Sequence, residues 1–235
     1  MRKTLKYLNE RLSSKEIKLL DLIWLLILPI ININYVLASN IATNGREIST
    51  LLDKKIPFIS LFIIPYIYWY PYILLGLVFI LSKNRNKYLR VLLSIYTGMI
   101  VCYFFYYFFP VEIRRPYVAD TNIFNKLVNM IYDSDRPVNC FPSIHVLNTY
   151  LIMRFTSRQD NKSWFHYTNI IGILIILSTI FIKQHYVLDG LASILLSETI
   201  ILINKCISDK YFERLLDIPY KITNRKKDNK NIFTS

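Results

Sequence analysis

Three side chains in this sequence can do chemistry on a phosphate together. His185 and Asp189 stand four apart in "KQHYVLDG", residues 183–190, and His145 closes "CFPSIH", residues 140–145. A spacing of four puts His185 and Asp189 on one face of a helix. There the carboxylate accepts a hydrogen bond from the imidazole, fixing its tautomer and leaving the other ring nitrogen as a nucleophile. His145 comes from a different segment and can serve the same centre as general acid and base. Pro142 and Ser143 mark a helix start, where free N–H groups and the positive dipole end attract phosphate. Arg115 and Lys183 add positive charge, with Arg114 beside them; a guanidinium can grip phosphate through two N–H groups. A nucleophilic His, a proton-donating His and an anion cradle describe phosphoryl transfer through a phosphohistidine. The competing use of His145, His185 and Asp189 is a zinc site. The neighbouring cations disfavour a metal ion and favour an anion, so no metal and no cofactor is expected.

These residues need elements to carry them, and the elements are apolar. The chain has 235 residues, 53% of them hydrophobic. Several runs approach the ~20 residues that cross a bilayer. The reading is an all-α, six-span transmembrane helical bundle. The spans fall at residues 19–39, 56–81, 89–109, 143–155, 164–182 and 186–204. Pro57, Pro65 and Pro71 should interrupt the second, which membrane helices tolerate where neighbours re-satisfy the backbone. The fourth is short: residues 143–158 reach about 24 Å, against a hydrocarbon core of about 30 Å. Residues 1–18 form an N-terminal segment, 19–205 a catalytic membrane domain and 206–235 a C-terminal tail.

The net charge of +13 would suggest nucleic acid in a soluble protein. Here the cations crowd the segments between apolar runs, so topology and anionic lipid explain them, and no nucleic-acid partner is expected. With the N-terminus inside, the inner segments hold 21 of the 29 Lys and Arg. That bias places both termini in the cytoplasm of a multi-pass cell-membrane protein. The same topology brings "RRP" (114–116), "CFPSIH" and "KQHYVLDG" to the outer end of the bundle, so the site faces outside.

The remaining features read more plainly. The opening residues are too polar for a signal peptide. Leu5, Leu8 and Leu12 give them a weak amphipathic face, and "NRKKDNKNIFTS" (224–235) is a polar tail. Cys102, Cys140 and Cys206 show no paired spacing, so no disulfide framework is expected. His166 starts the fifth span on the inner side, in a packing role. The cluster "YIYWYPY" (66–72) reads as bundle packing, and Glu198 as a contact to another helix. Residues 122–132 carry apolar positions at helical spacing, a short amphipathic helix over the site. Asp133 and Asp135 after it read as a solvated loop.

At the chemical residues the sequence resembles the type 2 phosphatidic acid phosphatase superfamily of membrane lipid phosphatases and phosphotransferases. That family shows K-x6-R-P, then P-S-G-H, then S-R-x5-H-x3-D. Here Arg115 and Pro116 match the first, with Phe108 at the Lys position. Pro142, Ser143 and His145 match the second, with Ile144 for Gly. Ser178, His185 and Asp189 match the third, with Thr179 for Arg. The resemblance implies His185 as nucleophile, Asp189 as its orienting partner and His145 as acid to the leaving group. Ser143 and Arg115 would hold the phosphoryl oxygens, and Lys183 or Arg114 would replace the missing cations. The "F-P-S-x-H" and "H-Y-x-x-D" forms are closest to the inositol phosphorylceramide synthase-like branch. The implied substrate is a lipid phosphate or phospholipid headgroup, passed to water or to an alcohol. A non-enzymatic lipid carrier or flippase that kept the fold is the alternative.

Overall fold

The structure is a computed structural model, and it describes residues 19–42 and 45–220. The amphipathic face at Leu5, Leu8 and Leu12 and the polar tail at 224–235 lie outside the described residues. A 3-10 helix, Leu19–Leu26, leads into α1 (Ile27–Ile41). The short α2 (Leu51–Lys55) follows, then a 3-10 turn (Ser60–Phe62), α3 (Ile63–Ile67) and α4 (Trp69–Lys83). Then come α5 (Arg85–Phe108), α6 (Ile123–Ser134), α7 (Ile144–Phe155), α8 (Lys162–Phe181), α9 (Val187–Lys205) and α10 (Asp209–Leu216).

Five helical stretches are long and apolar enough to cross a membrane: Leu20–Ile41, Ser60–Lys83, Arg85–Phe108, Lys162–Phe181 and Val187–Lys205. Their outward faces carry bare Leu and Ile, with Ile30 63%, Ile41 65%, Leu195 71% and Ile203 60% exposed. A water-soluble chain does not leave such a continuous apolar belt uncovered. The protein is therefore an integral, multi-pass membrane protein. The second stretch is broken as its prolines require. Pro71 has no N–H to donate, and the helix turns at Tyr68 between α3 and α4. Asparagine side chains start two of the long helices: Asn84 accepts from Lys87 N at 2.8 Å and Asn161 from Trp164 N at 2.8 Å.

The expected fourth span, α7, is 12 residues long, about 18 Å, and is not one of the five. It is the most enclosed element, packed against α4, α5, α8 and α9. Glycines admit it. A Cβ on Gly76 of α4 would meet Ile152 at 2.5 Å, one on Gly98 of α5 would meet Leu147 at 2.7 Å, and one on Gly172 of α8 would meet Met153 at 2.5 Å. Leu147, Leu151 and Ile152 are fully buried in consequence. The residues after 205 are not all a free tail. Helix α10 docks on α5, with Phe212 buried against Leu89 and the Arg90 guanidinium 4.0 Å from its ring centre.

At the opposite end, three loop segments knit into a small cap. Arg46 pairs with Val111 in a single parallel bridge, Ile113 N donates to Pro137 O at 2.9 Å and Cys140 N to Val111 O at 3.4 Å. This cap delivers residues 113–115 and 137–143 to the ends of α7 and α9.

Candidate active site

The residues between α8 and α9 form a turn in which almost every group is tied down. The Thr179 carbonyl accepts from Gln184 N at 2.9 Å and His185 N at 3.0 Å, so the chain doubles back as α8 ends. Helix α9 begins at Val187. His185 therefore lies just outside it, not on a helical face as its spacing from Asp189 suggested. The contact between the two still forms, because Asp189 folds back over the first turn. Its Oδ2 accepts from Tyr186 N at 2.8 Å and lies 3.2 Å from His185 Nδ1. Nδ1 is also 2.9 Å from the Cys140 carbonyl. A carbonyl can only accept, so Nδ1 must carry the proton. In the neutral form of the ring, a proton on Nδ1 leaves the lone pair on Nε2.

His145 sits in the first turn of α7, which Ser143 caps by accepting from Val146 N at 3.3 Å. Its ring is stacked on Tyr66, centroids 4.8 Å apart, and flanked by Trp69 at 4.4 Å. The His145 and His185 rings lie 5.8 Å apart, centre to centre. His145 Nε2 is buried and finds no hydrogen-bond partner among the described residues. Separate elements thus bring two imidazoles to one place. One holds a fixed tautomer and the other a nitrogen without a partner.

Arg115 reaches the same turn. Its Nη2 donates to Gln184 Oε1 at 2.6 Å, and Nη1 donates to the carbonyls of Tyr132 at 3.0 Å and Asp135 at 2.6 Å. The guanidinium lies 4.6 Å from the Tyr132 ring centre. Its Nε is buried and unpartnered among the described residues, as is Gln184 Nε2. These two donors beside the imidazole pair suit the oxygens of an anion. Burial raises the Asp135 carboxyl above its ordinary range, opposed by the Tyr35 hydroxyl and Arg115. Asp135 is thus not the solvated loop residue the sequence suggested: Tyr35 donates to it, and its side chain is 25% exposed.

Two expected phosphate ligands are engaged elsewhere. The Lys183 ammonium donates to the carbonyls of Asp53 at 3.0 Å and Ile56 at 2.6 Å, at the end of α2. Arg114 is 84% exposed and pairs with Glu47 at 2.7 Å. Lys183 carries its charge to the end of α2 and Arg114 to a loop carboxylate, not to the imidazoles. Cys140, His185 and Asp189 place one ligand-type atom each within 4.8 Å of one another. The donor set suits hydrogen bonding better than a cation. His185 presents its protonated nitrogen to Asp189, and the Cys140 thiol, which burial pushes up in pKa, donates to Pro137 O at 3.7 Å.

The structure also adds residues that the sequence reading placed elsewhere. Tyr66 and Trp69 belong to the cluster assigned to bundle packing, yet they hold His145. Their spacing of three, which would put both rings on one face of an unbroken helix, was the available signal. Gln184 and the Cys140 carbonyl had no such signal. The amphipathic helix expected over 122–132 is α6. It packs through Val128 beside Ile63 and Tyr66, and Tyr132 on it donates to Ile182 O at 2.6 Å. Glu198 contacts a neighbouring helix as expected, pairing with Arg154 of α7 at 2.6 Å.

The sequence model of the PAP2 superfamily matches residues 46–203, more than half of the chain. The chain belongs to the PAP2 superfamily. Membership implies a lipid phosphatase-type activity on a phosphate-bearing substrate. The matched segment contains His145, His185, Asp189 and Arg115, and it ends within α9. Comparison with curated proteins and with solved structures returned no match.

Proposed function

We propose that this PAP2 superfamily protein transfers a phosphoryl-bearing group from a lipid through a phosphohistidine at His185. The observation that carries this reading is the facing imidazole pair, with His185 Nδ1–H held by the Cys140 carbonyl and Asp189. His185 Nε2 attacks phosphorus, a nitrogen–phosphorus bond forms, and the bond from phosphorus to the leaving alkoxide breaks. His145 gives that oxygen a proton. Asp189 stabilises the positive charge that develops on His185. Arg115 Nε, Gln184 Nε2 and the free N–H groups at the start of α7 hold the phosphoryl oxygens. An oxygen nucleophile then attacks the phosphohistidine, loses its proton to His145 and releases His185. With water the product is free phosphate or a phosphorylated headgroup. With an alcohol it is that alcohol's phosphomonoester when the donor is a lipid phosphate, and a new phosphodiester when the donor is a phospholipid, as in the inositol phosphorylceramide synthase-like branch.

The same reading makes residues 19–205 the catalytic membrane domain and α7 a sixth, shortened crossing. Its length lets the His145 end begin below the membrane surface. Six crossings leave both termini on one side, and the Lys and Arg distribution assigns that side to the cytoplasm. The deciding experiment presents purified protein, with EDTA present, with phosphatidate and phosphatidylinositol vesicles, with and without an alcohol acceptor. Free phosphate from phosphatidate, or inositol phosphate from phosphatidylinositol, marks hydrolysis, and a new phosphate ester of the added alcohol marks a transferase. Lipid movement without any phosphorus product, surviving His185→Ala, would establish a carrier instead.

A further inference from the structure

Lys183 and Asp53 form a two-way clamp between α2 and the nucleophile turn. From one side, the Lys183 ammonium donates to the carbonyls of Asp53 and Ile56, two acceptors at the end of α2 that lack helical partners. From the other side, Asp53 Oδ1 accepts from Val187 N at 2.8 Å, at the first residue of α9. Asp53 itself is fixed: its Oδ2 accepts from Thr50 N at 2.7 Å, and it is only 8% exposed. The two tied positions, 183 and 187, bracket His185 by two residues on each side. Lys183 also holds a left-handed backbone, φ 51°, which is unfavourable for a residue with a side chain and persists only where its surroundings enforce it.

We propose that Asp53 and Lys183 are positioning residues that set the backbone on which His185 presents Nε2 to phosphorus. The inference rests on His185 being the nucleophile. It gives Lys183 a different task from the phosphate contact that its charge suggested. Two of its three N–H groups are committed to carbonyls. Both halves of the clamp act through α2, whose Leu51 and Leu52 are 76% and 59% exposed while Asp53 between them and α9 is buried. Displacing α2 would therefore release the nucleophile turn at two points at once.

The test uses the full chain in phosphatidylcholine vesicles, with Asp53→Asn, Lys183→Met and the conservative Lys183→Arg. Turnover is followed on phosphatidate and phosphatidylinositol, alongside the rate at which diethyl pyrocarbonate modifies His185 relative to His166. Thermal midpoints identify any variant that fails to fold, and Lys183→Arg keeps the test open in that case. The expected result is kcat lower by about 10–100-fold with KM within about twofold, since a small misplacement of a reacting group costs that much. His185 modification changes severalfold while that of His166 does not, and Lys183→Arg restores most of both. Unchanged kcat with unchanged His185 modification overturns the clamp. So does a rise in KM alone for Lys183→Met, the signature of a phosphate ligand. Undiminished turnover by His185→Ala would instead reject the nucleophile assignment, and the modification rates would still judge the clamp.

Discussion

The two histidines at the centre of the site are held by unlike means. His185 is fixed by hydrogen bonds at its Nδ1, whereas His145 is fixed by aromatic rings and offers a nitrogen unpartnered among the described residues. The proposed roles follow that difference, and substitution at each position tests them. His145→Ala should lower turnover by about 10²–10⁴-fold, the usual worth of a positioned proton donor. His166→Ala, at an exposed position on α8, should leave turnover unchanged in the same vesicle assay. Asp189→Asn should be milder than loss of a carboxylate that alone fixes a tautomer, which costs about 10⁴-fold. The Cys140 carbonyl at 2.9 Å would still hold Nδ1–H. A His185→Ala protein should have no turnover to compare with it. The meeting of His145, His185, Asp189 and Arg115 at one end of the bundle was legible in the sequence, because their types and spacings single them out within otherwise apolar surroundings. The carbonyl contacts of Lys183 were not, because a cation beside His185 has the same sequence signal whether it reaches a phosphate or the end of a helix.

At the scale of elements, the site depends on α7 reaching the centre of the bundle. Three helices give way to it with glycine, and the sequence shows those glycines without showing what they face. Gly76→Ala tests the fit, because the two effects of that change oppose each other. Alanine favours a helix over glycine by about 1 kcal/mol. Overpacking a filled contact costs about 1–3 kcal/mol. With the new Cβ 2.5 Å from Ile152, the net expectation is a lower thermal midpoint in detergent. Adding Ile152→Ala to Gly76→Ala should recover part of that loss relative to Ile152→Ala alone. The long helices were readable from apolar run length, and the break in the second from its prolines. The partnership of α2 with the turn before α9 was not, since its contacts join residues 127–134 apart in sequence.

The whole molecule sets its two ends to different tasks. One end gathers the imidazoles and the loop cap; the other gathers ion pairs such as Arg85–Asp21 at 2.5 Å and Lys87–Asp160 at 2.7 Å, together with α10. The proposed orientation puts the first end outside. Cys206 is exposed near the second end, while Cys102 and Cys140 are buried. A membrane-impermeant maleimide should therefore leave intact cells' protein unlabelled and react at Cys206 only after permeabilisation. Tyr117→Cys, at a site 94% exposed in the outer loop, should be labelled from outside at once. The opposite pattern would invert the topology. The orientation rests on charge counts alone, which this labelling tests; the five long apolar helices were legible by length, whereas α7 is too short to declare itself that way.

The central claim is a covalent bond between His185 and phosphorus, and trapping it is the most direct measurement. Protein in vesicles is exposed briefly to phosphatidate or phosphatidylinositol radiolabelled at phosphorus, quenched in alkaline denaturant and mapped by peptide. The account predicts acid-labile label on the peptide containing His185, chased away by acceptor and absent from His185→Ala. Turnover of labelled lipid with no label on that peptide, or undiminished turnover by His185→Ala, would contradict it.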